Sequence, residues 1–263
     1  MNNSRFLAAL SAPFVVGGLL HFAYPLIQPA DYHHFADTRL ICGVHNGADV
    51  LSSLAILAAS LVNWRWCWRQ RASDAVQMPG MLTVSLGFVM AAAGSAVYHL
   101  RPTDATLVWD RLPMTVIFAG ILAMLYTAVT ARTVLWSQLA SLVAAAMLTA
   151  LIWARSGELW PYALLQYGGL AAVVGFTISR KVANPSGWWA LICWYGVAKL
   201  FEMFDASIWV ATDHVLAGHS LKHIACGAAG IALLGIVKPL RSSESSTSWR
   251  RLFAVRKDPL RGR

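Results

Sequence analysis

Apolar runs close to the roughly 20 residues that carry a helix across a bilayer recur along the whole chain, separated by short joints bearing charge, proline or glycine. Eight runs are legible, at residues 7–27, 44–64, 80–99, 108–129, 133–153, 160–178, 188–209 and 216–237. Leu, Ala, Val and Gly dominate them, and no ten-residue alternation of apolar and polar positions is present, so the pattern predicts helices and no barrel strands. Gly87, Gly94, Gly168 and Gly169 are expected to let neighbouring helices approach closely. The expected fold is all-α, a polytopic membrane helical bundle.

Composition agrees with the pattern. At 57% hydrophobic and 13% charged residues, with a mean hydropathy of +0.55, the chain is too apolar for a soluble domain to cover with its own polar surface. The net charge of +9 adds an orientation. Arg65, Arg69, Arg71, Arg132, Arg180 and Lys181 fall in alternate joints, on the side of Arg5 and of the basic tail after Lys238. The positive-inside rule makes that side, and both termini, cytoplasmic. The charge is thus a topology signal, with no nucleic-acid partner implied, and the tail can touch anionic lipid. The first run, long and without a small-residue cleavage site near its end, is read as a retained signal anchor. Cys42, Cys67, Cys193 and Cys226 are scattered without CxxC spacing and imply neither a disulfide framework nor a thiolate metal site. Residues 242–248, SSESSTS, are low in complexity and expected to lack a fold.

Ionisable groups within spans are costly unless they face a cavity or a partner, so each marks a candidate site. Ser95 and His99 are four apart near the outer end of the third run. Asp110 lies just inside the outer end of the fourth, and His219 and His223 are four apart at the outer start of the eighth. All fall on one membrane side in a topology derived from Arg and Lys alone. An i, i+4 histidine pair offers two imidazoles from one helix face, and a third from a neighbouring helix completes a three-ligand site with an open fourth position. The alternatives are histidines that only pack and hydrogen-bond, and an Asp110 that interacts with a helix dipole. Along the seventh run Lys199 and Glu202 are expected to pair, with Asp205 as an acceptor behind a ligand histidine. Lys222 points off the histidine face and is expected to snorkel to the interface.

Ser95-x3-His99, Asp110 eleven residues after that histidine, and His219-x3-His223 together resemble the motif set of the alkaline ceramidase family, within the CREST superfamily of membrane hydrolases. The resemblance extends over "YHHFADTR", "NGADVLSSL", "YHLRPTDATLVWDRLPMT" and "AKLFEMFDASIW", from about residue 32 to residue 237. It implies a seven-span hydrolase core at 44–237, which leaves an extra transmembrane helix in 1–30, an extracytoplasmic capping loop at 31–43 and the basic cytoplasmic tail at 238–263 outside that core. It also implies that His99, His219 and His223 hold zinc, that Asp110 is the acid/base group and that Ser95 stabilises the oxyanion, in hydrolysis of ceramide or a related N-acyl lipid. Family members carry a calcium site before the first core helix. Here its oxygen donors would be Asp31, Asp37, Asn46 and Asp49, with Asn46 standing where a Glu is expected, and the same segment also reads as a plain cap over the site. His33, His34 and His45 are loop residues, expected to be solvated. A bacterial inner membrane with an extracytoplasmic active site fits the short loops and basic tail.

Two other function classes compete. A metal or proton transporter would place its polar groups near the midplane between inverted repeats, and none are evident. A non-catalytic, receptor-like CREST member would keep the metal without turnover. Covalent catalysis by Ser95 lacks a GxSxG elbow.

Overall fold

The computed structural model describes residues 3–70 and 76–237, and the tail at 238–263 lies outside the described residues. The elements are α1 (Asn3–Ala23), α2 (Gly47–Gln70), α3 (Met78–Leu100), α4 (Asp104–Thr130), α5 (Trp136–Ser156), α6 (Trp160–Ala163), a π turn (Leu164–Gly168), α7 (Gly169–Ile178), α8 (Pro185–Met203), α9 (Asp205–Ala211) and α10 (Gly218–Ile236). The protein is therefore an all-α, multi-pass membrane bundle. Six described helices are long and apolar enough to cross a membrane: α2, α3, α4, α5, the composite Trp160–Ile178, and α10. The eight runs of the sequence thus reduce to six on length and apolarity. α8 is long enough, but Trp188, Trp189, Trp194, Lys199 and Glu202 dilute its apolar character, and α1 contributes a shorter apolar stretch, Arg5–Leu19.

The helices close a ring. α2 packs on α3, α3 on α4, α4 on α7, α7 on α8, α8 on α10 and α10 back on α2, with α5 outside against α4 and α1 outside against the π turn and α7. The antiparallel order puts the C-terminus of α3 and the N-termini of α2, α4 and α10 at one end. Arg65, Arg69, Arg132, Arg180 and Lys181 gather at the other.

Two glycines set the close approaches that matter for that first end. A Cβ on Gly94 would lie 1.9 Å from the Trp109 carbonyl oxygen, and one on Gly218 would lie 2.2 Å from that of Phe201. The obstructing atoms are backbone, so no rotamer change relieves the overlap. Gly94 thereby lets the Ser95–His99 turn of α3 lie against Asp110 of α4. Gly218 seats the start of α10 beside the break between α8 and α9. Gly87 also lies close to α4, whereas Gly168 and Gly169 meet only ordinary contacts.

The loop between α1 and α2 lies over this end. Cys42 and Gly43 both have positive φ, as a two-residue mirror-image turn requires, and Ile41 and Val44 exchange backbone hydrogen bonds across it at 3.0 Å. Asp37 is fully buried and accepts from the Arg39 backbone and guanidinium. Burial alone would raise the Asp37 carboxyl, but the Arg39 hydrogen bonds and charge hold it below its ordinary value. Arg39 also donates to the Val215 carbonyl at 3.0 Å and sits 4.6 Å above the Trp209 ring, tying the loop to the α9–α10 connection.

Candidate metal centre

Three histidines converge under that loop. His99 ends α3, His219 and His223 lie one turn apart at the start of α10, and their exposures are 1%, 7% and 2%. One ring nitrogen from each lies within 4.8 Å of the other two. The Nε2 atoms of His99 and His219 are 3.2 Å apart. Two nitrogens bound to one tetrahedral ion at ordinary zinc–nitrogen distances would stand about 3.3 Å apart, so the spacing suits a shared divalent ion.

The hydrogen bonds around His223 leave the right atom free. Ser52 Oγ donates to the Asp49 carbonyl at 2.9 Å, so at 2.7 Å from His223 Nδ1 it acts as acceptor. That fixes the proton on Nδ1 and turns the Nε2 lone pair toward the other two rings, the arrangement metal-bound histidines use. Ser95 Oγ lies 3.3 Å from the same Nε2 and 3.2 Å from Ser53 Oγ, and Asp110 faces Ser95 from α4. We expect Ser52→Ala to weaken metal affinity about 10–100-fold, the usual cost of losing such an orienting partner, as read by competition with a chromophoric chelator.

The other two rings are held from outside. Asn46 donates to the His99 carbonyl at 2.9 Å. Phe35, from the loop, presents its ring edge-on to His99 and His219 at centroid distances of 4.7 and 4.6 Å, shielding them from water. Among the described residues these three histidines are the one group of three or more His, Cys, Asp or Glu side chains close enough to share a metal ion. The protein is thus a membrane protein with a buried histidine site able to coordinate a divalent metal. Comparison of the chain with protein-family models, curated proteins and solved structures finds no match for any of the three, so geometry carries the functional argument.

The remaining sequence candidates have other partners. Asp205 does stand behind a candidate ligand histidine, but meets its main chain and not its ring. Phe204 interrupts the helix, and Asp205 after it accepts from the His219 backbone N–H at 2.7 Å and the Ala36 N–H at 3.0 Å, so it fixes the main chain of the ligand and of the loop. Of the calcium candidates, Asp31 is exposed, Asp37 is paired with Arg39, Asn46 bonds the His99 carbonyl, and Asp49 accepts from Ser220 Oγ at 2.6 Å. His34 and His45 are exposed, while His33 bridges Tyr98 Oη at 2.9 Å and Asp104 at 3.2 Å. Arg111 is buried in an aromatic box, its guanidinium 3.9 Å from Trp153, 5.1 Å from Tyr32 and 5.3 Å from Tyr162.

Beneath the histidines, inside the ring, lies a cavity of about 110 Å³. Its head carries Ser95, Asp110 and His223, and its walls are largely apolar, among them Ile56, Phe88, Met114, Ile117 and Leu191. Lys199 pairs with Glu202 as the i, i+3 spacing predicts. Lys222 does not snorkel outward: it lines the cavity and donates to the second Glu202 oxygen at 3.1 Å. The sequence missed Ser52, Phe35 and this second lysine contact, because each depends on a residue more than 15 positions away.

Proposed function

We propose that the protein is a zinc-dependent hydrolase of a lipid amide, similar in chemistry to ceramidases, built on a seven-span core with one added N-terminal helix. The observation that carries this reading is that three imidazoles meet, and that one of them, His223, lines the head of an apolar cavity together with a hydroxyl and a carboxyl, Ser95 and Asp110. Of the long helices outside those six, α1 is the added helix and α8 a core helix whose Lys199 and Glu202 line the cavity.

His99, His219 and His223 would hold a divalent ion, which when bound would supply Lewis acidity toward the scissile carbonyl and toward water. The chain supplies the rest. The Ser95 hydroxyl donates to the carbonyl oxygen as it gains negative charge, and its approach to His223 fixes where that oxygen sits. Asp110 takes the proton from the attacking water and returns it to the leaving nitrogen, as one carboxyl can do in both directions. The apolar walls accept the acyl chain, and Phe35 keeps bulk water away from the reacting carbonyl.

The site lies at the end opposite the basic joints, so the positive-inside rule places it on the extracytoplasmic side of what we take to be a bacterial inner membrane. In detergent-purified protein, removal of metal by a strong chelator is expected to stop release of fatty acid from a fluorescent ceramide, and zinc is expected to restore it. Hydrolysis that persists after the metal is shown to be gone would end the metallohydrolase reading.

A further inference from the structure

One cluster of charge in the cavity has no part in the chemistry above. Glu202 of α8 lies between two ammonium groups, Lys199 on its own helix and Lys222 of α10, each taking one of its two oxygens. Three permanent charges therefore line a cavity whose walls are otherwise mostly apolar, and together they carry one unbalanced positive charge. A charged group in such surroundings is retained only with a partner. An ammonium has three donors, and one on each lysine goes to Glu202, so further N–H donors remain beside the cavity. Asp110 is the only other carboxyl among the cavity-lining residues. Its proton-carrying role makes it neutral for part of a reaction cycle. Arg111, next in sequence, is committed to its aromatic box and does not line the cavity. Three neutral imidazoles offer no negative charge to offset a divalent ion either, so the occupied cavity is short of an anion.

We propose that the Lys222–Glu202–Lys199 cluster is a recognition site for a carboxylate on the substrate, and that the preferred substrate is an anionic lipid amide, an N-acylated amino acid being the simplest case. The position suits this. Lys222 adjoins His223 in sequence, and both line the same cavity as Ser95 and Asp110, so a carboxylate a few bonds from the scissile carbonyl can reach the ammonium while the acyl chain lies along the apolar walls. Glu202 holds the two ammonium groups in place and keeps the cluster's charge at one. The proposal rests on the hydrolase reading for the identity of the bond cleaved, but the binding preference is a property of the cavity itself.

The test uses the full-length, metal-loaded protein in nanodiscs and two non-cleavable ketone analogues, one of N-palmitoylglycine and one of N-palmitoylethanolamine. They share the acyl chain and differ in charge. Equilibrium binding is expected to favour the carboxylate analogue about tenfold or more, the contribution of one charge-assisted hydrogen bond in a dry site. Lys222→Met should lower that ratio, and Glu202→Gln, which is nearly isosteric and leaves a second positive charge unbalanced, should raise it. The opposite signs separate recognition from damage to the fold, since a distorted cavity would not gain selectivity. Equal binding of the two analogues, or a ratio unmoved by Glu202→Gln in folded protein, overturns the proposal. Retained selectivity without cleavage of either parent amide would leave the recognition site standing and remove the hydrolase. Cleavage of neutral ceramide with no selectivity would do the reverse.

Discussion

His219→Ala is expected to abolish stoichiometric metal binding and, with it, lipid amide hydrolysis. His219 supplies the Nε2 that lies 3.2 Å from that of His99, and it is 7% exposed. Truncation leaves two nitrogens on different helices and a void that Phe35, 4.6 Å away between centroids, is the nearest ring to fill. No other His, Cys, Asp or Glu among the described residues joins the cluster to replace the lost ligand. Loss of an orienting partner alone typically costs 10–100-fold in affinity, so removal of a ligand is expected to exceed about 100-fold. Elemental analysis of the purified variant beside the parent protein checks this. The Asp205 bonds to the His219 and Ala36 backbones do not involve the ring, so the variant should keep its helical signal and its loop. A full metal complement in His219→Ala would mean that the three rings are not one site.

Asp110→Asn is expected to behave differently. The amide keeps the size of the carboxyl and its reach toward Ser95, and none of the three imidazoles depends on it, so metal content should stay at the parent level. The rate of hydrolysis should fall about 10²–10⁴-fold, the range for loss of a positioned acid/base group. KM should change far less than kcat, because the substitution removes a proton carrier and leaves the cavity walls intact. Metal retained with full activity would show that Asp110 is not the proton carrier. Together the two substitutions separate holding the metal from moving the proton.

How far the sequence carried this reading depended on the range of the forces involved. The apolar runs located the helices because crossing a bilayer requires every backbone polar group to be bonded within the segment, a demand that each run meets locally. The histidine triad was legible for a related reason. The His219–His223 spacing is fixed by helical pitch, and an ionisable group in a span needs a purpose. Asp205 was legible in part: the sequence put it behind a candidate ligand histidine, and the break at Phe204 decides that it meets the His219 main chain and not its ring.

By itself, then, the sequence determined a helical membrane protein with its histidines gathered at the end opposite its basic residues, since hydrocarbon solvation and helix geometry act within a single segment. Tertiary structure decided the rest. It showed that the imidazoles face one another, that Ser52 of α2 sets the proton on His223 of α10, and that Lys222 turns into the cavity toward Glu202. Such contacts join side chains far apart in sequence. They form because a buried polar atom must find a partner wherever the ring of helices brings one within reach.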